Sequence, residues 1–146
     1  MTTQEFLPIP PAETATDPIG CPGDLHQRWR ALMGQLGFGE RLLRFVFIGP
    51  DRCMIKVLSD VPVGKTAEPD VIRNLMLALR EIVAKADGPT TVALLLSRPG
   101  VGGVTDADRR WSTLLTEIAA EVGVPIEPFF RANDEHLVLV APDQVR

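Results

Sequence analysis

The residues best able to do chemistry lie between 94 and 111, LLLSRPGVGGVTDADRRW. An apolar run leads through Ser97 and Arg98 into Gly100, Gly102 and Gly103, and then into Thr105, Asp106, Asp108 and Arg109. A glycine-rich turn between a strand and a helix start can offer backbone amides to an anion. The spacing is not that of a phosphate loop or a dinucleotide fingerprint, because no Gly-Lys-Ser/Thr ends it and its glycines do not fit G-x-G-x-x-G. Asp106 and Asp108 would also put negative charge in the first helical turn, where it complements the helix dipole and competes with phosphate. Thr105 and Asp108 have the spacing of a capping box. Arg98, Arg109 and Arg110, joined in sequence by the two aspartates, make a mixed-charge patch. Either it neutralises itself in solvent, or its forked donors grip a carboxylate on a ligand or partner.

Other reactive side chains read as structural. Ser97 follows an apolar run without a G-x-S-x-G elbow and reads as a turn hydroxyl. Cys53 sits in an apolar strand pattern with no histidine nearby, where a thiol behaves as a small hydrophobe. His136 follows Asp134 and Glu135, acids that can raise an imidazole pKa, but it also marks a strand entrance, its commoner role. Cys21 and Cys53 have no C-x-x-C partner, so neither a zinc knuckle nor a disulfide framework is indicated.

These residues need elements to hold them. Residues 1–23 carry Pro8, Pro10, Pro11, Pro18 and Pro22 and read as a flexible arm, whose Phe6, Leu7 and Ile9 could dock on a surface. Residues 24–146 read as one domain. Leu25, Trp29, Leu32, Met33 and Leu36 mark a helix capped by Asp24 and ended by Gly37 or Gly39. Residues 41–48 and 53–58 predict a hairpin across Gly49-Pro50-Asp51-Arg52, followed by a loop over 61–70. A helix from Pro69 to about residue 86 follows, then a strand at 91–96 apolar enough to be covered on both faces. Trp111, Leu114, Leu115, Ile118, Ala119 and Val122 form the stripe of a helix ended by Gly123. Strands at 126–131 and 136–140 close the chain. Pro125 and Pro128 imply that the first is at an edge or interrupted. The expected fold is α/β (α+β), with order α-β-β-α-β-α-β-β and a mixed sheet of about five strands flanked by helices.

The chain has 146 residues, the size of one ordinary domain, with 15 basic against 19 acidic residues and a net charge of −4. That sign disfavours nucleic acid as a partner. No apolar run is long enough for a membrane span, and no basic-then-apolar leader opens the sequence, so a cytoplasmic setting is expected.

At residues 94–111 the chain resembles the RadC-like branch of the JAB/MPN metalloprotease family, whose motif reads H-x-H-P-S-G, a short loop, then P-S-x-x-D opening a helix. Pro99 and Gly100 look like the motif's proline and glycine, and Thr105 and Asp108 like its Ser and Asp. Upstream, GERLLRFVFIGPDRCMI resembles the family's first hairpin, with Glu40 near its acid/base glutamate. Downstream, VGVPIEPFFRANDEHLVLV resembles the stretch carrying D-H-I-I-V. The resemblance spans residues 40–141 in element order. In this alignment the metal-binding histidines fall at Leu96 and Arg98, and the loop is one residue shorter. Zinc takes imidazole, thiolate or carboxylate donors at about 2.0–2.3 Å. Leucine has no donor, and an arginine stays cationic.

The resemblance without its ligands implies a non-catalytic domain that binds another protein or its own copy, the latter as a homodimer, with no cofactor and no metal. Its candidate binding residues are Arg98, Gly100, Gly102, Gly103, Thr105, Asp106, Asp108 and Arg109. A metal-dependent hydrolase drawing ligands from Glu40, Asp106, Asp108 and His136 is the first alternative. A small-ligand sensor built on the 97–110 loop is the second.

Overall fold

The computed structural model describes residues 8–55 and 57–143. Among them a short 3-10 turn, Ala12–Thr16, precedes α1 (Pro22–Met33), β1 (Leu42–Ile48), β2 (Ser59–Pro62), α2 (Pro69–Ala84), β3 (Thr91–Ser97), α3 (Asp106–Val122), β4 (Phe130–Ala132) and β5 (Leu137–Leu139). The chain is a single α/β domain around one open mixed sheet in the order β2-β1-β3-β4-β5. Only β3 and β4 run parallel; the other neighbours are antiparallel. The α-β-β-α-β-α-β-β order read from the sequence is the one observed.

β3 organises the molecule because it is buried on both faces. Its alternate residues Val92, Leu94 and Leu96 enter a core with Ile72, Met76 and Leu79 of α2 and Trp111, Leu115 and Ile118 of α3. Ala93 and Leu95 enter a second core with Leu25 and Trp29 of α1 and Phe130 of β4. The period-two alternation of a strand thus turns one continuous apolar run into two cores, α1 covering one sheet face and α2 with α3 the other.

Several boundaries differ from the sequence reading. α1 begins at Pro22 behind Cys21, not behind Asp24, since proline at the first helical position has a preset φ and no amide to leave unpaired. The Asp24 carboxylate instead accepts the Gly20 amide (2.9 Å). The helix closes at Gly34, φ +68°, before Gly37 is reached. The chain ahead of α1 is also attached to the domain: Ala15 and Ile19 are buried. The Ile19 amide donates to the Arg52 carbonyl (2.8 Å), and the Arg28 guanidinium holds the Asp17 and Pro18 carbonyls. Prolines there remove donors but leave carbonyls, and an arginine side chain takes these up. Ile9 is exposed, and Phe6 and Leu7 lie outside the described residues.

The second strand of the hairpin is Ser59–Pro62, not 53–58. Leu42 faces Pro62 and Phe45 faces Ser59, whereas Ile48 bridges Met54. The register therefore differs by two residues between Met54 and Ser59, and Ile55 and Val57 are exposed. Near the end of the chain, Ile126 bridges Val92 in parallel fashion and regular pairing resumes only at Phe130, after Pro128, which has no amide to donate. Among the described residues no helix is long and apolar enough to cross a membrane.

Candidate functional site

The 97–110 segment leaves the carboxyl end of β3 beside that of β4. Leu96 lies beside Arg131 and Ser97 beside Ala132. Strand alternation turns Arg131, and Arg98 just past β3, to the face that carries α3. There both meet Asp108. Arg98 grips its carboxylate with two bonds, Nε to Oδ1 (2.9 Å) and Nη2 to Oδ2 (2.8 Å). Arg131 Nε donates to Oδ2 (3.1 Å), and so does the Thr105 amide (3.0 Å). The Thr105 hydroxyl accepts the Asp108 amide (3.1 Å), completing the capping box read from the sequence. Asp108 and Arg131 are at most 1% exposed and Arg98 7%.

Burial by itself would raise the Asp108 pKa. The hydrogen bonds from Arg98 and the Thr105 amide, with the charges of Arg98 and Arg131, override it and hold the carboxyl below its ordinary value. Burial, opposed by Asp108 and assisted by Arg98, pulls the Arg131 pKa down.

The glycine turn is also occupied from within. The Gly100 amide donates to Asp134 Oδ2 (2.9 Å) and the Gly102 amide to Glu135 Oε1 (2.8 Å). Both glycines have positive φ, +115° and +92°, and a Cβ at Gly100 would lie 3.2 Å from Arg98 Nη1. The Asn133 side chain, fully buried, donates to the Gly102 carbonyl (3.0 Å) and accepts the amides of Glu135 and His136. Amides that could have met a phosphate already meet carboxylates of the same chain.

The mixed-charge patch divides. Arg98 turns inward, while Arg109 pairs at the surface with Asp106, whose side chain is 99% exposed. Gly103 is exposed. Ser97 is buried, its hydroxyl accepting Arg44 Nε (2.8 Å) and reaching the Leu42 carbonyl. The Cys53 thiol contacts the Asp51 carbonyl, and burial followed by the Asp51 charge pushes its pKa up, away from an activated thiolate. His136 adds its backbone to the cluster: its carbonyl accepts Arg131 Nη1 (3.3 Å).

Among the described residues no three His, Cys, Asp or Glu side chains are grouped so as to hold a metal ion. Glu40, Asp106, Asp108 and His136 are therefore not assembled into a ligand set. The donor chemistry around Asp108 does not fit a divalent cation, because guanidinium groups and an amide occupy both of its oxygens. Arg131, Asn133 and Asp134, central to the site, escaped the sequence reading. The one signal for Arg131 was a cation in FFRA between apolar strand residues. Comparisons with protein-family models, with curated proteins and with solved structures find no match for this chain.

Proposed function

We propose that this chain is a non-catalytic binding domain of degenerate RadC/JAB-like layout, and that its partner is a second copy of itself. The observation that carries the reading is the position of β5 at the edge of the sheet. Ladder bonds fall at Val140 to Phe129 and Asn133 to His136, so the alternate residues Leu137 and Leu139 turn their backbone groups away from β4. His26 Nε2 bonds the Leu137 carbonyl (2.6 Å), while Leu139 is exposed. Leu139 also borders two hollows, one of about 340 Å³ beside His26 and Phe130, the other of about 360 Å³ beside Ile126, Pro128 and Pro142. An antiparallel edge paired with its own copy about a two-fold axis is self-complementary by construction. The strand is only three residues long, so side chains seated in the hollows must carry most of the affinity.

The buried Arg98–Asp108–Arg131 cluster supports the non-catalytic half of the reading, since it uses a carboxylate for cohesion that the resemblance would give to a metal. Free Cys21 and Cys53 support a reducing, cytoplasmic setting. Sedimentation velocity over a wide concentration range tests the proposal. The wild type should shift from monomer to dimer while Leu139→Lys stays monomeric; a wild type monomeric throughout overturns self-association. Near-stoichiometric zinc in untagged protein, lost on Asp108→Ala, would overturn the non-catalytic reading.

A further inference from the structure

Arg44 of β1 lies opposite Asp60 of β2 and opposite Leu95 of β3, whose side chain enters the α1-side core. Cross-strand partners share a face, so Arg44 belongs to the α1 side of the sheet. Its guanidinium sits 5.7 Å over the ring of Phe38, in the loop between α1 and β1. Its Nε donates to the buried Ser97 hydroxyl (2.8 Å), a neutral acceptor. The facing carboxylate of Asp60 stays 4.0 Å from Nη1, beyond a hydrogen bond. The Nη1 and Nη2 groups therefore have no hydrogen-bond acceptor among the described residues, although the side chain is only 17% exposed. A cation so far from water with so little counter-charge is costly unless an anion joins it.

Arg44 and Phe38 line a hollow of about 450 Å³ together with Leu42, Glu40, Gly37 and Gly39. That volume is in the range of small-molecule sites. Glu40 is exposed, and no described residue hydrogen-bonds or ion-pairs with its carboxylate. The hollow thus presents an unengaged carboxylate and an under-used guanidinium that do not pair with each other. Its wall is anchored. The Phe38 amide donates to Asp134 Oδ1 (3.2 Å), and Oδ2 of the same carboxylate holds the Gly100 amide (2.9 Å). The glycine turn after β3 therefore fixes the loop that carries the hollow. Phosphate would bring its negative charge up to Glu40, and a plain amine would bring its positive charge up to Arg44; each is repelled by one of the two.

We propose that this hollow binds a free amino acid with an apolar side chain, its carboxylate on the Nη groups of Arg44, its ammonium on Glu40, and its side chain against Phe38 and Leu42. Guanidinium and carboxylate match in a two-bond fork, and an ammonium group offers three donors to a carboxylate. No residue of this lining borders the hollows beside Leu139, so the binding is independent of self-association through β5.

Leucine, isocaproate (leucine without its ammonium), isoamylamine (leucine without its carboxylate) and inorganic phosphate are titrated separately into ¹⁵N-labelled full-length protein. The amide resonances of Gly37, Phe38 and Gly39 are followed, with the indole of Trp111, in the core on the other sheet face, as the internal control. Leucine should move the loop amides saturably and leave Trp111 in place, with the other three probes far weaker. Arg44→Gln should weaken leucine binding about tenfold. Glu40→Gln, at an exposed position where the fold is not at stake, should weaken leucine binding severalfold without weakening isocaproate, and decides the matter if Arg44→Gln does not fold. The proposal is overturned if leucine moves none of the loop amides, if it moves Trp111 equally, if any of the other probes binds as tightly as leucine, or if the folded variants bind leucine as the wild type does.

Discussion

Two Arg–Asp pairs flank the start of α3, and the fold treats them as opposites. Arg98 and Asp108 meet through two hydrogen bonds with side chains 8% and 1% exposed; Arg109 and Asp106 meet with side chains 42% and 99% exposed. Residue types are identical, and all four positions lie within a dozen residues. The difference comes from the register of β3 and β4, which turns Arg98 and Arg131 under the first turn of α3. In the interior, charges interact strongly and are costly to leave alone; at the surface, water and salt weaken the same attraction. Asp108 therefore ties β3, β4 and the cap of α3 together, whereas Asp106 at most decorates the helix end.

The largest effect should come from breaking the buried cluster on one side. Asp108→Ala leaves two guanidiniums buried without their counter-charge and removes half of the capping box, and should lower unfolding free energy by about 3–5 kcal/mol in a denaturant titration. A simultaneous apolar replacement, Arg98→Met with Asp108→Leu and Arg131→Met, should recover most of that loss, because the desolvation penalty disappears with the charges. If the triple variant is as unstable as the single one, the cluster specifies the fold as well as neutralising itself.

Acid should separate the pairs next. The Asp108 carboxyl is held below its ordinary value in the folded state, so it binds fewer protons there than in the unfolded chain. Its contribution to stability is fully present above the unfolded pKa, about 3.9, and is lost as pH falls through the lower folded value. Glu127, held down first by Arg52 and also bonded by Thr91, adds in the same direction. Melting temperatures of wild type and Glu127→Gln between neutral pH and strong acid apportion the two. A Glu127→Gln protein whose melting temperature no longer falls on acidification would remove Asp108 from the account.

Thr105→Ala is a smaller break, because it deletes one hydroxyl acceptor and leaves the ion cluster standing. A loss of about 1 kcal/mol is expected in the same titration. A loss as large as that of Asp108→Ala would mean that the cap, not the arginines, holds the carboxylate in place.

What could be read from the sequence follows the same division between local and distant causes. The Thr105–Asp108 box, the α3 stripe from Trp111 and the double-sided β3 were legible because each is decided within one element. The second use of the Asp108 carboxylate was not, since it depends on Arg131 arriving from β4 at a register set by the interruption at Pro128. The hairpin misled for a related reason. CMIKVL has the apolar content of a strand, yet the paired residues are the more polar SDVP, where an edge strand needs few buried side chains. Ile19, alone among prolines, gave no periodicity to show that it plugs the α1-side core.

The smallest effect sharpens the contrast by failing to appear. Asp106→Asn keeps the size and an acceptor oxygen while removing the charge that Arg109 faces and that the α3 N-terminus favours. With the side chain almost wholly in water, equilibrium unfolding of this variant should match the wild type at moderate salt, and any difference at low salt should vanish as salt is added. A salt-insensitive loss comparable to that of Thr105→Ala would mean that Asp106 works through its hydrogen-bonding geometry at the helix start. The boundary between cohesive and incidental charge would then lie one turn further out than the burial of Asp108 places it.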